Sequence, residues 1–125
     1  MDTALPRIIS KPWGHEELWA KTDRFVGKLL VIRAGHRLSL QHHEQKEESL
    51  RVLSGLIHAD VGPSPTRLTR HTLRAGDRIH LPPRTVHRFA AVEDTVLVEV
   101  STPELDDVVR HMDDYGRVGQ PPDPT

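Results

Sequence analysis

The chain has 125 residues with 36% hydrophobic, 4% aromatic and 28% charged residues. That length suits one domain, and the thin apolar share favours a compact barrel or sandwich over a multi-layer fold. The formal charge of −1, from 17 basic and 18 acidic residues, excludes a polyanion binder working through bulk charge. The absence of cysteine excludes disulfides, thiolate zinc sites, iron–sulfur clusters and a Cys nucleophile.

In chain order, residues 1–10 read as an N-terminal arm or edge strand. Short β-branched and aliphatic runs follow at 16–21, 25–32, 38–43, 49–53, 56–61, 68–73, 78–81, 87–91 and 95–101. Gly35, Gly55, Gly76 and the Pro82–Pro83 pair separate them. Leu29–Val31 and Val96–Val98 are solidly apolar. This spacing predicts an all-β sandwich or barrel. After it, Thr102, Pro103 and Glu104 read as a helix start, and Leu105, Val108, Val109 and Met112 fall at helical spacing. One short C-terminal helix is therefore expected. The stretch 44–48 reads as a solvated acidic turn with Glu48 alone directed inward. No basic-then-apolar leader and no long apolar window occurs, which leads to the expectation of a cytoplasmic protein without membrane or nucleic-acid partners.

Nine histidines stand out. On an extended strand Gln41 and His43 share one face, as do Arg37 and Ser39, while His42 points away. Glu48 opens the next run, and His87 opens another beyond the Pro-Pro turn. Two imidazoles, a carboxylate and an amide oxygen can enclose one divalent ion, and the lack of thiolates favours Zn, Mn, Fe, Co or Ni. The other histidines (15, 36, 58, 71, 80 and 111) read as surface or hydrogen-bonded residues, and Trp13 as a cover for the barrel bottom or a dimer seam. Glu99 interrupts an apolar strand on the face of Leu97 and Ser101, so its carboxyl is expected inside, with a raised pKa suited to proton abstraction. Arg37 is the first choice for binding a substrate phosphate, with Lys28 and Arg88 behind it.

The spacing also carries a resemblance. Five residues separate Gly35 from Gln41, one separates Gln41 from His43, four separate His43 from Glu48 and six separate Glu48 from Gly55. Five lie between Gly76 and Pro82, and His87 follows. This two-motif pattern resembles the cupin superfamily, with Gln41, Arg84 and Ala91 standing where His, Gly and Asn are commoner. A residue at position 84 then needs the positive φ that Gly supplies easily. The runs Leu38–His43 and Val52–Gly55, Lys11–Pro12–Trp13–Gly14, Asp106–Arg110 and Asp114–Arg117 are similar to the type II phosphomannose isomerase domain, over about residues 11–118 of a single cupin domain spanning 1–125. The resemblance implies a small jelly-roll barrel. It also implies metal-dependent conversion of mannose 6-phosphate to fructose 6-phosphate in sugar-nucleotide and polysaccharide precursor metabolism. In this reading Gln41, His43, Glu48 and His87 hold the metal and Glu99 and Arg37 act on the phosphosugar. A homodimer, with the N-terminal arm contributing, is expected. Another small metal-binding cupin enzyme (a dioxygenase, epimerase or cyclase) and a non-catalytic sugar sensor are the alternatives. No Gly-rich phosphate loop occurs, so nucleotidyl transfer is not implied.

Overall fold

A computed structural model describes residues 4–120. Eleven strands make two antiparallel sheets: β1 Arg7–Lys11, β2 Gly14–Lys21, β3 Val26–Ile32, β4 Leu40–His42, β5 Glu48–Ser54, β6 Leu56–Ser64, β7 Arg67–Arg74, β8 Arg78–Leu81, β9 Val86–Ala91, β10 Thr95–Ser101 and β11 Val109–Met112. One sheet runs β1-β2-β3-β10-β5-β8 and the other β11-β4-β9-β6-β7. The expected arm is partly strand, because Arg7–Lys11 pairs with β2. Among the described residues no helix is long and apolar enough to cross a membrane.

Alternation along the strands builds the interior. Leu30, Ile32, Leu50, Val52 and Leu97 of the six-stranded sheet meet Ile57, Ala59, Phe89 and Ala91 of the other in one buried cluster, which Trp13 joins. Farther along the same strands the inward positions change character. Lys28, Glu48, His87, Glu99 and Ser101 are all buried. The barrel is thus apolar at one end and polar at the other. The register couples the polar residues directly, with Glu99 beside Lys28 and Ser101 beside Glu48. At the turn between β5 and β6, Gly55 has φ 99°, and a Cβ there would lie 2.4 Å from the Asp94 carbonyl oxygen. That turn therefore needs glycine.

The expected C-terminal helix is absent. Val109–Met112 instead pairs with β4, placing Val109 beside His42 and Arg110 beside Gln41. The preceding segment is pinned by Asp107, whose carboxylate accepts hydrogen bonds from the backbone N–H groups of Glu44, Gln45 and Lys46 at 3.0, 2.7 and 2.9 Å. Those three bonds, and the edge of β4 offered to β11, outweigh a helical periodicity resting on four apolar residues.

Candidate metal centre

His43, just after β4, and Glu48 and His87, at the starts of β5 and β9, come together in the polar half of the interior. One ligand atom from each lies within 4.8 Å of the others. Glu48 Oε1 is 3.6 Å from His43 Nε2 and 3.3 Å from His87 Nε2. All three side chains are buried. Each imidazole is oriented by a backbone carbonyl, His43 Nδ1 donating to Asp107 O at 2.5 Å and His87 Nδ1 to Thr85 O at 2.9 Å. A carbonyl only accepts, so Nδ1 carries the proton and Nε2 presents its lone pair inward. Neither Nε2 atom has a hydrogen-bond partner. Two buried, correctly polarised nitrogens without partners, facing a carboxylate, fit a divalent cation of the borderline type.

The turn that positions His43 carries the predicted backbone strain. Arg84 has φ 67°, and its N–H donates to the His43 carbonyl at 2.7 Å. A residue with a Cβ here holds a conformation that costs about 1–2 kcal/mol.

Gln41 faces inward opposite His87 in the β4–β9 register. Its amide oxygen accepts a hydrogen bond from the Ser39 hydroxyl at 2.7 Å. An amide oxygen has a second lone pair, so this bond does not use up its acceptor capacity.

Lys46 corrects the reading of 44–48 as a solvated turn. It is buried, with Nζ 2.9 Å from Glu48 Oε2 and 3.3 Å from Glu99 Oε2. Burial works against its charge, but Glu99 and Glu48 outweigh burial and raise its pKa. Burial likewise opposes ionisation of Glu48, yet the Lys46 ammonium outweighs it and holds the carboxyl well below the usual range. At Glu99 burial prevails over Lys46 and lifts the carboxyl above its ordinary value. Two carboxylates on either side of one ammonium are thus driven apart in acidity. Nothing in the sequence marked Lys46, because its inward turn depends on the distant Asp107 anchor.

The cations expected for a phosphate separate. Lys28 is inside, 3.1 Å from Glu16 Oε1. Arg37 and Arg88 lie on the outer face of the five-stranded sheet. Arg37 is held by Asp114 through two bonds of 2.6 and 2.9 Å. Arg88 donates to the carbonyls of Leu38 and Met112. The face expected for Arg37 was wrong because of a bulge. Gln41 pairs with His87 but Arg37 bridges to Ala90, so four steps on one strand match three on the other. Leu38 and Ser39 consequently both line the interior, and Arg37 falls on the outer face.

A cavity of about 60 Å³ adjoins the cluster through Gln41 and is lined also by Lys11, Trp13, Glu16, Ser39, Arg110 and Arg117. Arg110 sits beside Gln41 in the β11–β4 register. It was missed because residues 109–112 read as helix. His42 points outward as expected, stacked on His111 with ring centroids 4.9 Å apart.

The closed pair of sheets and the inward cluster at one end define a cupin. An RmlC-like cupin from Shewanella frigidimarina shares the fold, with a TM-score of 0.68 at 16% identity, covering 82% of this chain and 88% of that one. The chain belongs to the family described as mannose-6-phosphate isomerase C-terminal, whose pattern matches residues 2–114. Among curated relatives, the alginate biosynthesis protein AlgA of Pseudomonas aeruginosa is 30% identical over 118 residues, 90% of this chain and 24% of that protein. Protein SchB of Streptomyces halstedii is 33% identical over 73 residues, 58% of this chain and 49% of the relative. The chain spans about a quarter of the length of AlgA.

Proposed function

We propose that this cupin is an aldose–ketose isomerase of a phosphorylated hexose, of the mannose 6-phosphate to fructose 6-phosphate type. The observation that carries the reading is the pair of buried, unpartnered Nε2 atoms facing Glu48, one ammonium away from a second buried carboxyl of raised pKa. The family described above supports the substrate class.

His43, Glu48 and His87 would hold a divalent cation, with the Gln41 amide oxygen beside them as a fourth donor. A cation there supplies a Lewis acid for the charge that develops on O1 and O2 of the sugar. Isomerisation moves one proton between C2 and C1 through an enediol, so it needs a group that takes a proton and gives it back. Glu99 is suited to this, since burial keeps its affinity for a proton above that of an exposed carboxylate. Lys46 holds Glu48 and Glu99 in place and balances their charge. The phosphate falls to Arg110 and Lys11 on the cavity wall rather than to Arg37 and Arg88, which face away.

The test is incubation of the metal-supplemented protein with mannose 6-phosphate and a coupled readout of fructose 6-phosphate. Turnover is expected. E99Q should lower kcat strongly with metal content unchanged, and R110A should raise KM with metal content unchanged. A metal-loaded protein inert towards every hexose phosphate refutes the proposal.

A further inference from the structure

Two histidines on the outer face of the five-stranded sheet take no part in the interior chemistry. Gln41 and His43 point inward, so His42 between them points out. Arg110 lines the cavity, so His111 beside it also points out. His111 stands two positions beyond Val109, the register partner of His42, which makes the two imidazoles diagonal neighbours on one face. β11 is the edge strand of its sheet, and neither imidazole is fully buried.

Their polar atoms are arranged as metal ligands are. His42 Nε2 lies 2.8 Å from Glu44 Oε1. A carboxylate only accepts, so Nε2 carries the proton and Nδ1 presents its lone pair on the far side of the ring. That lone pair meets His111 Nε2 at 2.8 Å. A ligating imidazole characteristically donates its other N–H to a carboxylate, which fixes the ring and raises its basicity. Glu44 holds His42 in this way, and Arg84 Nε, 3.4 Å from Oε2, approaches the other oxygen of the same carboxylate. His111 Nε2 donates in the contact with His42. A cation replacing that proton would be held by both nitrogens at once.

The separation selects the ion. Two nitrogens bound at about 2.0 Å lie about 2.8 Å apart when the bonds meet at a right angle, and about 3.3 Å apart in a tetrahedron. The observed separation fits adjacent corners of a square, the tetragonal arrangement of Cu(II) and Ni(II). We propose that His42 and His111 form a second, exterior metal site for an ion of the Cu(II) or Ni(II) type, with water completing its coordination and Glu44 orienting His42. With only two protein ligands the ion exchanges freely and is lost on dialysis, which separates it from the interior cluster. It would join β4 to β11, the two strands that carry Gln41 and Arg110 to the cavity wall.

Equilibrium titration with Cu(II), followed by electron paramagnetic resonance, tests this. H42A and H111F, with unchanged circular dichroism, should each bind one equivalent fewer than wild type. H111F acts from a strand that holds no residue of the interior cluster. The spectrum of wild type minus H111F should be tetragonal, with coupling to two nitrogens. E44A should keep the equivalent and bind it about tenfold more weakly. H71A should bind as wild type does. All these chains share the interior cluster, so the difference stands whether or not that cluster takes an ion. Equal binding by wild type, H42A and H111F overturns the proposal. Coupling to a single nitrogen overturns the chelate. Loss of the same equivalent in H71A overturns the site by spreading the copper over the surface imidazoles. An E44A chain that binds as tightly as wild type overturns the part given to the carboxylate.

Discussion

Replacing Lys46 by Met probes the polar interior most sharply. The ammonium contacts Glu48 at 2.9 Å and Glu99 at 3.3 Å, and all three side chains are buried. Removing one member of such a group leaves charge without compensation and costs about 3–5 kcal/mol. The loss depends on pH in a definite direction. Glu99 already has a raised carboxyl pKa with the ammonium present, and Glu48 is held low largely by Lys46. Without the ammonium, the native state of K46M must keep a proton on the pair above the unfolded value of about 4.3. The native state then binds more protons than the unfolded chain, so stability falls as pH rises through that window. One proton retained over three pH units is worth up to about 4 kcal/mol. Urea unfolding in the presence of chelator, at pH 5 and pH 8, measures this. K46M should lose several kcal/mol more at pH 8 than at pH 5, and K46M/E99Q should recover part of the loss at pH 8. A K46M loss below about 1 kcal/mol, equal at both pH values, refutes the buried ion-pair account.

Further outcomes follow from the backbone and the outer face. R84G relieves the positive φ beside His43 and should raise unfolding stability by about 0.5–1 kcal/mol, read as a higher Tm. G14A should be severely destabilising, because its Cβ would sit 1.9 Å from the Val31 carbonyl oxygen; loss of soluble folded protein or a steep fall in Tm is the readout. R37A removes an exposed ion pair with Asp114 and should change stability by less than about 1 kcal/mol. In the coupled isomerase assay it should leave KM for a phosphosugar unchanged, in contrast to R110A.

The barrel was legible in the sequence where alternation and turn residues agree. Residues 78–81 and 95–101 were found with their observed bounds, because each lies between strong turn signals, and their side chains alternate inward and outward as a strand requires. Inward placement of Glu99 followed from the same alternation. The failures share a physical cause, which is that long-range contacts decide the local state. Residues 109–112 carry a helical period but are taken by the free edge of β4. Lys46 turns inward because Asp107, 61 residues later, holds the backbone around it. Arg37 lies on the wrong side of one extra residue, and period-two reasoning reverses completely at such a bulge. The cationic wall of Arg110 and Lys11 was hidden for the same reason, since one of its residues belongs to the strand that looked like a helix.

Metal titration of the chelator-treated protein, followed by elemental analysis after dialysis, bears most directly on the two imidazoles and the carboxylate acting together. The account predicts about one divalent ion per wild-type chain, a tenfold or greater loss of affinity in H43A, E48Q and H87A, and no loss in the control H71A. Stoichiometric binding that survives all three substitutions, or no binding by a folded wild-type chain, would contradict it.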